Sequence, residues 1–398
     1  MMRVAFVAQP WNDLTPPVEG GSLAIWNAQM ARQLAQRGHE VAIIARGTTG
    51  SRDQTYDGVA YRFVPAEPVD LGPDHRPVHW TEDFAADYQR GVARTIAAGG
   101  YDVVHIHNFA NFAPAIRAAR PQVRLLLNMQ CDWLELFDLE RTAGYLDAID
   151  HVLACSRVIE QGARTRFPDA AMSVLPNAVD PRRFSIDARR RSTVRSLLFV
   201  GRLSPEKGVH TLCEAFGRIA PRHPRLRMRL AGPQGNQPRN FLVDATADAA
   251  IRALERFYGP EPYLETCLAA LDPDARRRVR VTPGHVRNVD LPSLYGQADV
   301  LVNPSLWEPF GITILEGMAT GCVAVGAAVG GMLDSIVDGE SGFLCPRDEP
   351  AALADVLEQA LEARWPSTIA QAGLDRALTR FSYDAVADQL ERVCVGAS

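Results

Sequence analysis

Short apolar segments alternate with amphipathic ones along the chain, and this order constrains the fold more than any other feature. Arg3–Ala8 reads RVAFVA and predicts a buried strand. Residues 22–38 have apolar side chains at helical spacing and predict a helix capped by Ser22 and stopped by Gly38. His39–Ala45 predicts the next strand. Strand, helix and strand joined by a glycine turn are typical of a parallel, doubly wound α/β sheet.

A second series of strands and helices begins near the middle of the chain. Residues 184–196 are polar and basic without apolar periodicity, which predicts a linker between domains. At 398 residues the chain exceeds a typical single core. We therefore predict an N-terminal Rossmann-like domain at 1–184, a C-terminal Rossmann-like domain at 185–380 and a separate last segment at 381–398.

One predicted strand of the first half ends in two histidines. Residues 102–108 read DVVHIHN, and the alternation of a strand places His105 and His107 on one face. His107 lies at the carboxyl end, where ligands bind in open α/β sheets. His105 suits a structural role, whereas His107 suits a structural or a functional one equally. A helix at about 81–98 is predicted before this strand.

The stretch 233–271 is longer than a simple strand-to-helix connection and is rich in Pro, Asp and Ala. Apolar residues at helical spacing predict helices at about 241–257 and 261–271. We interpret the stretch as a local elaboration of the second domain.

Candidate functional residues are most concentrated in Asn303–Gly331, where Glu308 and Glu316 are separated by seven residues. The sequence between them predicts a loop ending at Pro309–Gly311 and then a helix of about two turns. A glycine at the mouth of a helix leaves backbone N–H groups accessible, and such an end favours anions. Ionised carboxylates accept hydrogen bonds from hydroxyl groups. This pattern suits a ligand with phosphates and several hydroxyls, although two solvated glutamates on a plain βα unit would also explain it.

Two other turns between a strand and a helix suit the same kind of ligand. Gly20 and Gly21 permit close backbone approach to a phosphate or sugar at the start of the first helix, although a plain turn is the more frequent explanation of such a pair. Arg202 and Lys207 flank a turn after the strand Ser196–Gly201. Arginine binds phosphate oxygens bidentately and lysine adds a point charge, so this turn is a candidate diphosphate clamp, although surface cations near a turn are common.

Composition and charge narrow the class of protein. Hydrophobic residues at 47% and charged residues at 22% indicate an ordinary globular protein, and the formal net charge of −5 gives no case for nucleic-acid binding. We interpret the basic runs Arg189–Arg191 and Arg276–Arg278 mainly as solvated surface, with a contact to phosphate or anionic lipid as the alternative. Seven widely spaced cysteines without a ligand cluster favour reduced thiols, no metal site and a cytoplasmic location.

The order of these motifs closely resembles the family-4 glycosyltransferases of GT-B fold, which use nucleotide-sugar donors with retention of configuration. The motifs are the Gly-Gly loop, the strand ending His-x-His, Pro-Asn-x-Val-Asp at 176–180, Gly-Arg-Leu-x-x-Glu-Lys-Gly at 201–208, and Glu-x7-Glu. The resemblance covers nearly the whole chain and is strongest over 196–345. It implies two Rossmann-like domains facing a central cleft, acceptor binding by the first and donor binding by the second. It also implies that the last segment returns to the first domain.

The resemblance assigns roles to the residues of the second half. Arg202 and Lys207 match the pair that binds the donor diphosphate. Glu308 matches the glutamate that contacts the donor sugar, and Glu316 the one that holds the ribose hydroxyls. Four positions match backbone that meets the sugar, phosphate or nucleobase: Phe310, Gly311, Ile312 and Val286.

In the first half, Gly20 and Gly21 match the loop that faces the diphosphate, and His107 matches the histidine near the sugar. Many relatives have a His-Asp pair where this chain has Gln130-Cys131-Asp132. Asp132 remains the candidate for contact with an acceptor hydroxyl. The residues expected to serve catalysis are His107, Arg202, Lys207 and Glu308.

The reaction implied by the resemblance transfers a sugar, without a metal or other cofactor, from a nucleotide-diphosphate sugar to a hydroxyl acceptor. A UDP-sugar is the expected donor, and the acceptor is a glycan, a lipid carrier or a small metabolite. The alternatives are an epimerase or a sugar phosphorylase on the same fold, or a catalytically silent sugar-nucleotide-binding protein. Trp11, Trp26 and Trp80 leave open a peripheral contact with the inner face of the membrane, although core positions fit them better.

Overall fold

The computed structural model describes residues 1–11, 14–47, 51–69, 83–186, 195–244 and 246–396. The chain forms two compact α/β units. One comprises Met1–Asn177 together with Tyr383–Ser398, and the other comprises Ala178–Ser382. Part of the predicted linker, the basic run Arg189–Arg191 and Trp80 lie outside the described residues.

The first unit is built on an eight-stranded sheet in the order β3-β4-β2-β1-β5-β6-β7-β8. Its strands are β1 (Arg3–Val7), β2 (Glu40–Gly47), β3 (Gln54–Tyr56), β4 (Val59–Pro65), β5 (Val103–His107), β6 (Arg124–Met129), β7 (His151–Ala154) and β8 (Met172–Val174). Neighbouring strands are parallel except for the hairpin of β3 and β4. Asp57 and Gly58 close this hairpin with positive φ at both positions, as a tight turn of this hand requires.

Among the described residues, six helices connect the strands of this unit. They are α1 (Ser22–Gln36), α2 (Ala86–Gly99), α3 (Ala113–Ala119), α4 (Trp133–Leu136), α5 (Leu139–Leu146) and α6 (Arg157–Arg166). The prediction of a Ser22 cap was wrong, because Gly21 occupies the N-cap position with φ 75° and no side chain caps the helix. The helix predicted from 81 begins at Ala86, and residues 81–82 are among those not described.

The second unit is built on a six-stranded parallel sheet in the order β11-β10-β9-β12-β13-β14. Its strands are β9 (Ser196–Val200), β10 (Arg227–Gly232), β11 (Val279–Pro283), β12 (Val300–Asn303), β13 (Val323–Ala327) and β14 (Phe343–Cys345). Its helices are α7 (Val209–Ile219), α8 (Arg239–Leu242), α9 (Ala249–Arg252), α10 (Tyr263–Ala269), α11 (Pro273–Arg277), α12 (Leu291–Tyr295), α13 (Ile312–Ala319), α14 (Met332–Ser335), α15 (Pro350–Glu362) and α16 (Thr368–Arg380).

Both sheets have a point where the strand order reverses. In the first unit β1 lies between β2 and β5, and in the second β9 lies between β10 and β12. Ligands of open α/β sheets bind in the crevice at the carboxyl ends of strands at such a switch point. The loops that follow β1, β5, β9 and β12 are therefore the places to look for a site.

The single helix predicted at 241–257 was wrong. The structure has two short helices, α8 and α9, followed by a 3-10 turn at Ala253–Phe257. Asp248 starts α9 by accepting a hydrogen bond from the Ala250 amide, which is an alternative to a continuous helix. Val243, Ile251 and Leu254 then pack together with Leu306, at the start of the Glu308 loop.

The C-terminal helix α17 (Tyr383–Cys394) belongs to the first unit and lies against α1. Arg37 makes ion pairs of 2.5, 2.6 and 2.6 Å with Asp384, Asp388 and Glu391. His39 adds a contact of 2.7 Å with Glu391. One arginine and one histidine thus hold three acidic side chains of the last helix.

The structure tests several expectations about surface and core. Trp26 is fully buried, in agreement with the core position expected for it, while Trp11 is partly exposed. Arg278 is buried rather than solvated, and its guanidinium donates to the carbonyl oxygens of Ala220 and His223, each at 2.9 Å. All seven cysteines are free thiols. Within the described ranges, no helix is both long and apolar enough to cross a membrane.

Candidate functional site

The turn after β9 presents the two cations predicted to act as a clamp. Arg202 is partly exposed directly after the strand. With its amide oxygen turned toward Arg202, Gln237 accepts from the guanidinium Nη2 at 3.0 Å. Gly232 fits closely here, since a Cβ at this position would lie 1.9 Å from the Gly201 carbonyl oxygen. The end of β10 and the stretch that follows therefore hold the Arg202 turn from one side.

Lys207 ends a 3-10 turn at Pro205–Lys207 and is the only lysine in the sequence. Its Nζ lies 2.9 Å from Glu308 Oε2, and the two side chains are 25% and 15% exposed. Gly208 follows with φ 68°, and a Cβ there would lie 2.0 Å from the Pro304 carbonyl oxygen. Close backbone contact thus joins the loop after β9 to the loop after β12.

Glu308 is held by neutral donors as well as by the lysine. Asn303 Nδ2 and Ser305 Oγ each lie 3.4 Å from Glu308 Oε2. Ser305 Oγ also lies 2.6 Å from Asn303 Oδ1. Glu206, which is buried, accepts the Leu306 N–H through its carbonyl oxygen at 2.9 Å. The loop that carries Glu308 is therefore fixed by its neighbours.

The helix α13 begins beside Glu308 as predicted. Gly311 is its N-cap with φ 85°, a conformation that favours glycine. The Phe310 side chain is buried at 2% exposure, so this residue can offer a ligand its backbone only. The turn at Gly330 fixes the loop further, because a Cβ there would lie 1.8 Å from the Glu308 carbonyl oxygen. Ile312 is the first helical residue and is partly exposed.

Glu316 lies on the second turn of α13 and is partly exposed. Tyr295, which is buried, donates from its hydroxyl to Glu316 Oε2 at 2.6 Å. Removal from water raises the pKa of Glu316 to about 7, and the opposing effects of the Tyr295 hydrogen bond and the Arg183 charge only partly offset it. Arg183 also lies over the Phe184 ring, 5.5 Å from its centroid. Near neutral pH this carboxyl group is therefore poised between its two protonation states.

The structure brings four of the predicted donor residues to one switch point. Arg202 and Lys207 follow β9, and Glu308 and Glu316 follow β12, its neighbour in the sheet. Val286 lies apart from these four residues in the sheet. It follows β11, which is the edge strand and is separated from β9 by β10. It is partly exposed, after a turn at Gly284 with φ 82°.

His107 lies at the carboxyl end of β5 as predicted, but it is completely buried. Its ring centroid is 4.6 Å from that of His105 and 5.2 Å from that of Trp26. Burial lowers the pKa of His107 to about 3, so the imidazole is neutral at physiological pH. His105 is buried as well, with Nε2 lying 3.3 Å from Asn128 Nδ2.

The remaining candidates of the first unit follow neighbouring strands of its sheet. Gly20 and Gly21 are exposed between β1 and α1. Asp132 follows β6, is partly exposed and occupies the N-cap position of α4. With His107 at the end of β5, these residues follow three adjacent strands, β1, β5 and β6.

The sequence analysis missed the residues that support the site. Tyr295 and Arg183 act on Glu316, and Gln237 contacts Arg202. Each is distant in sequence from the residue it affects, and no local pattern indicates the contact. Asn303 and Ser305 lie just before Glu308, so a polar pair at the end of a buried strand was a usable signal. Within the described part of the chain, no group of three His, Cys, Asp or Glu side chains is arranged to hold a metal ion.

Comparisons with known proteins identify the family. Residues 183–373 match the family model described as "Glycosyl transferases group 1", and residues 24–183 match "Glycosyltransferase Family 4". A D-inositol 3-phosphate glycosyltransferase of Frankia alni is 30% identical over 407 residues, covering 93% of this chain and 93% of that protein. A glycogen synthase of Mycobacterium tuberculosis is 27% identical over 428 residues, covering 100% and 95%.

A solved structure shares the fold. The sucrose-phosphate synthase of Thermosynechococcus elongatus superposes with a TM-score of 0.76 at 21% identity, covering 100% of each chain. The two parallel α/β sheets thus form a GT-B fold. The chain belongs to family 4 of the glycosyltransferases, enzymes that transfer a sugar from a nucleotide sugar.

Proposed function

We propose that the second unit binds the donor and that the pair of Lys207 and Glu308 is the centre of its site. The observation that carries the proposal is their contact of 2.9 Å at the switch point beside β9 and β12. A partly exposed cation and carboxylate in contact offer opposite charges to one ligand. A nucleoside diphosphate sugar has the complementary groups, namely an anionic diphosphate and a ring of hydroxyls.

Arg202 and Lys207 bind the diphosphate in this proposal. Departure of a nucleoside diphosphate builds negative charge on its distal phosphate, and fixed cations stabilise that charge without reorganising. The Phe310–Ile312 backbone at the start of α13 adds N–H donors and the positive end of the helix. Together these groups support transfer without a metal ion.

The two glutamates bind hydroxyl groups in this proposal. Glu308 accepts from the transferred sugar, because Asn303 and Ser305 keep its carboxylate in place when Lys207 turns to phosphate. Glu316 accepts from the ribose hydroxyls in its ionised state, with Tyr295 fixing one of its oxygens. The Val286 backbone approaches the base, for which uracil is our expectation.

For the first unit, we assign the Gly20–Gly21 turn to the donor diphosphate and His107 to the donor sugar. The His107 imidazole is completely buried and neutral, so it serves this role without adding charge near an oxocarbenium-like carbon. Asp132 is assigned to the acceptor. No side chain is assigned as a nucleophile, so transfer proceeds on the front face with retention, and the leaving phosphate takes the acceptor proton.

The acceptor we propose is a saccharide hydroxyl. Three aromatic side chains form a cluster where the strands of the first unit end. The ring centroids of Trp11 and Phe109 are 5.1 Å apart, and those of Phe109 and Trp133 are 5.9 Å apart. Trp11 and Trp133 are partly exposed, and Trp133 is next to Asp132. Aromatic faces beside a carboxylate suit a sugar ring, which presents C–H groups to the one and hydroxyls to the other.

The test uses the single lysine. An amine-reactive probe modifies only Lys207 and the N-terminus, so peptide mass spectrometry gives an unambiguous occupancy for this side chain. We expect UDP, ADP and GDP sugars to protect Lys207 to different extents. The rates at which they release nucleoside diphosphate in the presence of a chelator should follow the same order. Protection by no nucleotide sugar, or a strict requirement for added metal, would contradict the proposal.

A further inference from the structure

A second concentration of positive charge lies in the second unit, away from the carboxyl ends of its strands. Arg229 on β10 pairs in register with Leu198 on β9 and with Arg280 on β11. Since register partners in a sheet point to the same face, the two arginines lie side by side. Met228 and Leu230 point to the other face and belong to the hydrophobic core.

Leu198, Arg229 and Arg280 line a groove of about 300 Å³, which we call the arginine groove. It is lined by the amino-terminal parts of β9, β10 and β11 and by the segment around α12. Its lining comprises Ser196, Leu197, Leu198, Arg227, Met228, Arg229, Arg277, Arg278, Val279, Arg280, Leu294, Gln297 and Ala298. Five arginines and no acidic residue are among them.

Three of the arginines differ from the other two in their ion pairs. In the part of the chain that the structure describes, no carboxylate lies within ion-pair distance of Arg227, Arg229 or Arg280, whereas Arg277 and Arg278 pair with Asp274. Burial, and then the neighbouring charge of Arg280, lower the pKa of Arg229. Like charges side by side repel each other, and a bound anion would relieve that repulsion.

The apolar residues that line the groove indicate which kind of anion would fit it. Leu198 and Leu294 are buried apolar side chains, so the groove has an apolar floor beneath a cationic rim. A volume of about 300 Å³ suits a small molecule and is at the lower end for such sites. Guanidinium groups match phosphate oxygens bidentately.

We propose that the arginine groove binds a small phosphorylated molecule, with Arg229 and Arg280 on the phosphate and the carbon skeleton over the apolar floor. This site is separate from the donor site, because Arg202, Lys207, Glu308 and Glu316 follow the carboxyl ends of β9 and β12. A ligand here does not compete with the donor for the same side chains. It would lie against the same sheet whose loops carry the proposed donor residues.

The experiment measures binding of inorganic phosphate and galactose 1-phosphate by titration calorimetry at constant ionic strength. The protein carries Arg202→Ala and Lys207→Ala, so that phosphate binding at the donor site is removed. We expect saturable binding of galactose 1-phosphate and weaker binding of inorganic phosphate. Adding Arg229→Gln and Arg280→Gln should raise Kd at least tenfold.

The matched control is Arg225→Gln, which removes one exposed arginine close to β10 but outside the groove lining. Its Kd should equal that of the parent protein. Circular dichroism spectra and melting curves of all variants establish that they fold. Equal binding by the Arg229→Gln/Arg280→Gln protein, or no binding of either phosphate compound, would overturn the proposal. Binding of phosphatidylglycerol vesicles without binding of the small phosphates would replace it with a membrane contact.

Discussion

Lys207 Nζ contacts Glu308 Oε2 at 2.9 Å, across 101 residues of sequence. The two residues lie in the loops after β9 and β12, which are neighbours at the switch point of the second sheet. Glu308 keeps Asn303 and Ser305 as donors, so its carboxylate stays oriented when the lysine moves to a phosphate. We propose that the pair acts as a preassembled clamp, with the lysine on the diphosphate and the carboxylate on the sugar of the donor.

Replacing Lys207 with Ala should lower kcat at least tenfold, since a fixed cation on the leaving diphosphate contributes about 2–4 kcal/mol at sites of this kind. Steady-state release of nucleoside diphosphate measures the effect. Lys207→Arg is the informative companion, because it keeps the charge but changes its shape. We expect Lys207→Arg to keep a measurable part of the activity. Near-normal turnover of Lys207→Ala, with an unchanged melting curve, would remove the clamp from the mechanism.

Donor affinity should depend on pH through Glu316, whose pKa is raised to about 7. If only the ionised carboxylate accepts from the ribose, Kd for the nucleotide sugar, whose doubly esterified diphosphate does not titrate in this range, should be about tenfold higher at pH 6 than at pH 8. Glu316→Gln should bind with weak pH dependence over this range. Calorimetric titrations at the two pH values give both results. A wild-type Kd independent of pH would contradict the assigned role.

The same carboxyl group gives a stability prediction of defined sign. Its folded pKa lies above the ordinary value of 4.5, so the folded state binds a proton more tightly than the unfolded chain. The resulting stabilisation is complete below pH 4.5 and is lost as the pH rises to about 7. Glu316→Gln should therefore raise Tm relative to wild type more at pH 8 than at pH 5. Thermal unfolding at both pH values tests this, and a difference of the opposite sign would exclude it.

The Gly330 turn should be intolerant of a side chain, because its Cβ would lie 1.8 Å from the Glu308 carbonyl oxygen. Gly330→Ala should cost about 1–3 kcal/mol through overpacking and should lower activity by displacing Glu308. Gly339→Ala is the matched control, since Gly339 also has positive φ but has nothing within 4 Å of a Cβ. Chemical denaturation and turnover separate the two variants. Equal losses in both would mean that backbone strain alone, and not the contact with Glu308, is responsible.

The stretch 233–271 should influence donor binding through Leu306. Leu254 is fully buried and packs with Val243, Ile251 and Leu306. Leu254→Ala should destabilise the protein by about 2–5 kcal/mol and should raise KM for the donor. Leu357→Ala, at a buried position of α15, should destabilise similarly without changing KM. Steady-state kinetics at a temperature where both variants are folded decides between a local and a general effect.

Arg37 should fasten the last helix to the first unit. Its guanidinium pairs with Asp384, Asp388 and Glu391, and a group with several partners exceeds the small contribution of single surface pairs. Arg37→Ala should increase amide hydrogen exchange throughout Tyr383–Cys394. Arg32→Ala is the control, because Arg32 makes one exposed pair of 3.6 Å with Asp57. Unchanged exchange in the Arg37 variant would show that apolar contacts alone hold the helix.

Patterns that depend on neighbouring residues were predictable. The helix after Gly311 follows from a glycine N-cap and an apolar run, and its observed span of Ile312–Ala319 agrees with two turns. The strand ending at His107 follows from its alternation. Two local predictions were wrong because local signals competed: Gly21, not Ser22, occupies the N-cap, and Asp248 starts a new helix inside 241–257. The β3–β4 hairpin was missed although Asp57-Gly58 is a strong turn signal.

The sequence by itself determined which chemical groups this protein has and the order in which they occur. That order was enough for the family, because each motif is a local strand–turn–helix unit with its own geometry. Only the tertiary structure decided which groups meet. Tyr295 reaches Glu316, Gln237 reaches Arg202, and Arg229 lies beside Arg280 because strands and helices distant in sequence are neighbours in the sheet. The tertiary structure also decides the protonation state of Glu316. The pKa of a carboxyl group depends on how much water folding removes from it and on which charges folding brings near it.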